Sequence, residues 1–260
     1  MPTSVIVSFI VVAIFDLLFP LLLALWLKRR YHARWLSFFV GITVFTITQI
    51  LIRIPIVALL GAALQDDLAA SVTLRTAWLI GLSFSAGLFE EGGRYLGFRY
   101  VLRQHRTWIE GVLFGLGHGG IEAAFLGGTA LINALIIPGL ASAALPAEAA
   151  QQLQAAQAAL AALTPWAVLA AAYERFWAIV LHVGLSLMVL RTANGRGQRW
   201  LWLAIVLHGL FNVVAVALNQ RWGIAAAEAS VTLFGIAALI FTLRERSAAP
   251  SALTPVAEQV

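Results

Sequence analysis

A chain of 260 residues with 61% hydrophobic and 11% charged side chains cannot supply the roughly 25% charge of a soluble domain, and its length suits one helical bundle with no second, water-exposed domain. The formal net charge of +5 does not point to nucleic acid, because the basic residues fall in short tracts between apolar runs, which is a topology signal. Cysteine is absent, which excludes disulfides, thiolate ligands and a cysteine nucleophile and leaves the redox compartment open.

A spanning helix needs roughly 20 apolar residues. In chain order the runs that qualify are about 5–27, 36–63, 75–101, 108–138, 166–190, 200–219 and 223–243. They predict an all-α, polytopic bundle of about seven transmembrane spans in a lipid bilayer. The first run has no basic segment from Met1 to Ile14 and therefore reads as a span, not a cleavable signal. Lys28, Arg29, Arg30 and Arg34 follow it. Arg99, Arg103 and Arg106 follow the third run, Arg191, Arg196 and Arg199 the fifth, and Arg244 and Arg246 the seventh. Those loops hold twelve basic residues, against Arg75 and Arg221 alone in the loops between. The positive-inside rule then puts the N-terminus outside and the C-terminus in the cytoplasm, consistent with an odd number of spans. Trp26, Trp35, Trp108, Trp166, Trp200 and Trp222 fall near span ends, as an aromatic belt requires. The pattern is that of an integral multi-pass protein of a prokaryotic plasma membrane.

Two stretches are not spans. Ala141 to Thr164 is rich in Ala and Gln and reads as an interfacial helix on the outer face, starting near Pro146. Residues 247–260, rich in Ala, Ser and Pro, read as a disordered tail. Residues 1–246 thus form a single transmembrane domain, with its polar site in spans three to six and no evident internal repeat.

Ionisable side chains at the centre of a membrane helix each cost about 2.5–3.5 kcal/mol on insertion scales. Span three carries Glu90, Glu91 and Arg94, and span four His118 and Glu122. Span five carries Glu174, Arg175 and His182, and span six His208 and Asn212. Counted from the basic loops at about 1.5 Å per residue, these groups lie roughly 13–20 Å in, so one layer can hold them all. His118 with Glu122, His208 with Asn212 and Glu90 with Arg94 are i,i+4 pairs on shared faces, and His182 and Arg175 are seven apart. Glycines 92, 93, 111, 115, 117, 119, 120, 127 and 128 let the helices approach closely. Arg53, just before Pro55, reads as support for a kink or a contact with a lipid headgroup. Glu174 and Arg175 read as a possible self-satisfied pair.

Adjacent carboxylates opposite an arginine can divide their roles, one ionised against Arg94 and the other free as a general base. Three histidines, or two and a carboxylate, with an open position for water are the usual catalytic zinc arrangement, and such an ion makes hydroxide available near neutral pH. Asn212, one turn from His208, can donate to an oxyanion. Other intramembrane chemistries fit poorly. No H-E-x-x-H is present, the only aspartates are Asp16, Asp66 and Asp67, and Ser83 and Ser85 sit in no nucleophile motif.

The order E-E-x-x-R at Glu90–Arg94, F-x-x-x-H at Phe114–His118 and H-x-x-x-N at His208–Asn212 resembles a known pattern. It is that of CAAX-prenyl-protease-like and bacteriocin-processing intramembrane proteases. G-H-G-G-x-E at Gly117–Glu122 and E-R-x-x-A-x-x-x-H-x-x-x-S at Glu174–Ser186 resemble the YhfC family within that superfamily. The resemblance implies a membrane-embedded, metal-dependent endopeptidase acting on a membrane-embedded or membrane-associated peptide or protein. By position, Glu90 or Glu91 would activate water, His118, His182 and His208 would bind a divalent metal, zinc by ligand type, and Asn212 would polarise the scissile carbonyl. Glu122 would be a fourth ligand or an orienting group. Arg94, Glu174 and Arg175 would hold the layer together, with substrate arriving sideways or from the cytoplasmic half. Two rival classes share these residues: a proton- or metal-coupled transporter, disfavoured by the missing repeat, and a non-catalytic membrane scaffold or regulator.

Overall fold

In hydrocarbon every backbone N–H and C=O must be paired within its own segment, so long apolar runs have the helix as their solution. The computed structural model describes residues 1–140 and 145–248, and every regular element in them is helical. Seven helices are long and apolar enough to cross a membrane, and they match the seven runs read from the sequence.

Span one is α1 (Thr3–Tyr31). Span two is composite: α2 (Leu36–Phe45), a wider π-helical stretch Thr46–Arg53, and α3 (Ile54–Ala63). Ile54 N–H reaches the Gln49 carbonyl five residues back. That wider winding lies immediately before Pro55, which has no N–H for an ordinary turn. After the short α4 (Gln65–Ala70), span three is α5 (Val72–Leu96), extended by a second π-helical turn at Gly97–Val101. Ser71 caps it by accepting from Leu74 N–H, so this span starts three residues earlier than its apolar run suggests. Span four is α6 (Trp108–Ile136) with a 3₁₀ turn at Ile137–Gly139. Then α7 (Ala147–Ala161) starts just after Pro146, as read from the sequence. Span five is α8 (Pro165–Ala193), capped by Thr164 Oγ1. Spans six and seven are α9 (Arg199–Trp222) and α10 (Ile224–Ala248), joined through Gly223 at φ +82°. Ser247 and Ala248 are therefore helical, and the rest of the expected tail, 249–260, lies outside the described residues, as do 141–144.

The most enclosed helix is α8, with 72% of its apolar window buried against 11–33% for the other spans. Helices α1, α6, α9 and α10 surround it, and α2 closes on the far side of α6. Glycines set these approaches. A Cβ on Gly115 would meet the Val183 backbone of α8 at 2.5 Å. Gly117 abuts the Phe38 carbonyl, while Gly41 abuts the Phe114 carbonyl, so α2 and α6 touch backbone to backbone.

The two halves of the bundle differ. Towards the basic loops, Phe98, Leu102, Leu113, Phe114, Leu185, Leu187 and Val189 are buried in one continuous core. Arg106 closes that end by donating to the carbonyls of Phe98 (3.0 Å), Arg99 (3.0 Å) and Ala193 (2.9 Å). Towards the other face, α3 buries none of its residues.

Candidate metal centre

Four helices deliver the polar layer. Gly87, whose added Cβ would meet the Ile205 carbonyl of α9 at 2.7 Å, draws α5 against α9 and brings the glutamates to His208. Gly119 lies 3.1 Å from the His182 side chain by the same measure and draws α6 to α8.

Neighbours on a helix point about 100° apart, and the two glutamates part accordingly. Glu90 lines a cavity, whereas Glu91 is fully enclosed and faces away from it. Glu91 Oε1 lies 2.8 Å from His208 Nδ1, and its Oε2 lies 3.3 Å from Arg94 Nε. Arg94 therefore pairs with Glu91 at i,i+3, not with Glu90 at i,i+4. Its other N–H groups go to the His182 carbonyl (2.7 Å) and Ser186 Oγ (2.8 Å), with Nη2 3.1 Å from His182 Nδ1.

Glu90, His182 and His208 each offer one ligand-type atom within 4.8 Å of the others. Glu90 Oε1 is 3.8 Å from His208 Nε2, and Oε2 is 3.9 Å from His182 Nδ1. His118 stands outside this trio: its Nε2 is 2.9 Å from Glu90 Oε2, and its Nδ1 is buried without a hydrogen bond. Its ring still neighbours that of His182, 5.3 Å between centroids. Glu122 Oε2 approaches His182 Nε2 to 2.6 Å without hydrogen-bond alignment, and Oε1 accepts from Arg175 at 3.0 Å. Arg175 also bonds Glu174, so the Glu174–Arg175 pair exists but is shared with Glu122. Asn212 lies in the cavity wall one turn beyond His208.

The cavity has a volume of about 380 Å³. Its walls come from residues before Glu90 on α5 (Leu79, Leu82, Ser83, Ala86) and after His118 on α6 (Glu122, Phe125, Leu126). Others come from before His182 on α8 and after His208 on α9. Every one of those directions leads away from the basic loops. The half of the bundle towards the basic loops is solid apolar core, and the hollow lies on the opposite side of the layer. The physical cause is the divergence of span two, whose second half leaves the bundle.

A model of the YhfC intramembrane metalloprotease family matches residues 15–234 of this sequence. The chain is also similar to a protein of Bacillus subtilis (strain 168) named "Uncharacterized membrane protein YhfC", 34% identical over 234 residues, 87% of this chain and 88% of the relative. This chain belongs to the YhfC family. It is an integral, multi-pass membrane protein, as its seven spans and its relative together show. No solved structure matches it.

The family description implies a metal, and the residues present fit one. Two imidazoles and a carboxylate are a donor set suited to zinc at about 2.0–2.1 Å, for which neighbouring tetrahedral donors stand about 3.4 Å apart. The observed 3.8 and 3.9 Å run to the two different oxygens of Glu90, and the three donors together lie within 4.8 Å, so the side chains would have to close inwards around an ion. Each imidazole also has a carboxylate at its other nitrogen, Glu91 for His208 and Glu122 for His182, which is how ligating histidines are ordinarily held. Among the described residues, four of the nine buried side-chain atoms lacking a hydrogen bond lie in this layer: Glu91 Oε2 and Arg94 Nε, which face one another at 3.3 Å, Glu122 Oε2, which faces His182, and His118 Nδ1. Native interiors leave few such atoms without a partner. One contact opposes the fit as it stands, since His182 Nδ1 cannot hold an ion while accepting from Arg94. Arg94 keeps two other acceptors if it yields that one.

The sequence pattern gave little sign of Gln49 and left Arg53 between support for a kink and a headgroup contact. Gln49, 3% exposed in the π-helical stretch, donates to Glu90 Oε1. A neutral glutamine in an apolar run carries little signal, but i,i+4 spacing to Arg53 could have flagged it. Arg53 turns into the cavity wall, not towards lipid headgroups, and donates to Ser85, Gln49 and the Leu82 carbonyl. Asp16 of span one is also fully buried, against Gly127, with both oxygens lacking a hydrogen bond.

Proposed function

We propose that this protein is an intramembrane metallopeptidase that hydrolyses a peptide bond of a membrane-embedded or membrane-associated substrate. The observation that carries the reading is the convergence of Glu90, His182 and His208 at the floor of a cavity within the spans. These three would hold a divalent ion, with zinc favoured by the donor types. When bound, such an ion acts as a Lewis acid and lowers the pKa of water towards neutrality.

The chain's own residues supply the rest. Glu91 holds the His208 ring through Nδ1, leaving Nε2 directed at Glu90. His118 and Gln49 hold the two oxygens of Glu90. Glu122 lies at the cavity wall with Oε2 against His182 Nε2 at 2.6 Å, and of the carboxylates lining the cavity beside the trio it is the one we assign to take the proton of an attacking water. Arg175 keeps its other oxygen fixed. The Asn212 amide, also in the cavity wall, would donate to the carbonyl oxygen as negative charge develops there. These roles exchange two sequence-based expectations: Glu90 becomes a ligand and Glu122 the base.

The solid core between the layer and the basic loops supports hydrolysis over a through-pathway for ions. The test is metal analysis of the full-length protein in nanodiscs, together with mass-spectrometric detection of products from transmembrane peptides reconstituted alongside it. The wild type should bind one zinc and generate defined fragments. Glu90→Gln should lose both while keeping its thermal unfolding profile. Zinc flux into liposomes without any peptide product would refute the proposal in favour of transport.

A further inference from the structure

Every carboxylate around the centre has a cationic or imidazole partner, and none of them pairs with Arg53. Glu91 answers Arg94 and His208, Glu122 and Glu174 answer Arg175, and Glu90 faces His118, His182 and His208. Arg53 is left with neutral acceptors alone: Ser85 Oγ at 3.1 Å, Gln49 Oε1 at 3.1 Å and the Leu82 carbonyl at 2.5 Å. Gln49 stands between it and Glu90, accepting from one and donating to the other. A guanidinium has five N–H donors and is not deprotonated near neutral pH. Three donors are engaged, and the side chain lies in the cavity wall, half-buried and well inside the second span. A permanent charge at that depth is costly, yet three neutral acceptors hold its guanidinium in place. That is how a receptor for a planar anion is built.

We infer that Arg53 is a carboxylate-recognition subsite of the cavity, so that the preferred substrate carries a carboxylate near the bond presented to Glu90, His182 and His208. The carboxylate belongs either to an acidic side chain or to a chain terminus. It reaches the cavity from the half of the bundle opposite the basic loops, where the walls open beside α3. The inference deepens the peptidase reading and takes its substrate from it, but the binding step can be measured apart from cleavage.

The test uses full-length protein in nanodiscs and fluorescent apolar heptapeptides read by anisotropy. One pair, blocked at both ends, differs by a central Glu or Gln; a second pair, without charged side chains, ends in a free carboxylate or an amide. In the wild type one acidic peptide should bind roughly tenfold tighter than its neutral twin, as a charge-assisted bond in a confined site warrants, and the pair that shows it identifies the source. Arg53→Gln should abolish that preference and Arg53→Lys retain part of it. Equal binding within both pairs, no saturable binding of either acidic peptide, or a preference surviving in Arg53→Gln overturns the inference. The wild-type comparison decides it even if a variant fails to fold. A preference without any cleavage sinks the peptidase reading and leaves the subsite standing; cleavage without a preference does the reverse.

Discussion

Replacing Glu91 by Gln isolates the part of the centre that never touches the cavity. Glu91 and Arg94 are each 0% exposed, and their charges face one another at 3.3 Å. The substitution preserves shape and leaves an amide oxygen able to accept from His208 Nδ1, so ring orientation survives in part. Lost is the negative charge that raises the basicity of the imidazole. Removing such a partner behind a metal-bound histidine typically costs about 10–100-fold in affinity. With the hydrogen bond kept, the lower end applies, about tenfold or about 1.4 kcal/mol. A second effect acts on folding, because Arg94 retains only neutral partners: the His182 carbonyl, Ser186 Oγ and His182 Nδ1. Stranding a buried charge costs up to about 3–5 kcal/mol. The two effects separate in the double variant Glu91→Gln/Arg94→Met, which should recover thermal stability without recovering zinc affinity. Zinc affinity is read by competition with a chromophoric chelator in nanodiscs, and stability by thermal unfolding of the metal-free protein. An unchanged zinc affinity in folded Glu91→Gln would show that His208 is not held for ligation in this way. Full recovery of affinity in the double variant would show that Arg94, not Glu91, governs it.

Two further outcomes test the centre and its frame. Glu122→Gln should weaken zinc by no more than about tenfold, as for Glu91→Gln, but at saturating zinc should lose peptide turnover by about a hundredfold or more, as removal of a general base does; undiminished turnover by mass spectrometry would assign the proton elsewhere. Gly117→Ala should destabilise the bundle by about 1–3 kcal/mol, because its methyl would press on the Phe38 carbonyl, which is backbone and yields poorly. Gly128→Ala, with nothing within 4 Å of the added methyl, is the matched control and should be neutral. Reversible unfolding in mixed micelles measures both, and equal stability of the two variants would contradict the close packing of α2 on α6.

The sequence by itself determined the spans and their polar layer. A bilayer requires about 20 apolar residues per crossing, and it makes every interior Glu, His and Arg conspicuous against that background. Hence Glu90, Glu91, Arg94, His118, Glu122, Glu174, Arg175, His182, His208 and Asn212 could be singled out with no coordinates. The same reasoning missed Gln49, because a neutral side chain leaves no anomaly in hydropathy, and it left Arg53 between support for a kink and a headgroup contact, because one basic residue beside Pro55 does not show which way its side chain turns. Only tertiary structure decided which glutamate meets the cavity, since that depends on how α5 is turned by the close seat of Gly87 on α9. It also decided that Glu90 joins His182 and His208 while His118 stands behind it. The side on which the centre is hollow was decided there too. A hollow is a place where helices fail to pack, and the divergence of α3 that creates this one is written in no single residue. Residue type tells which groups are costly in a membrane, but their chemistry comes from directions and distances that only the assembled helices set.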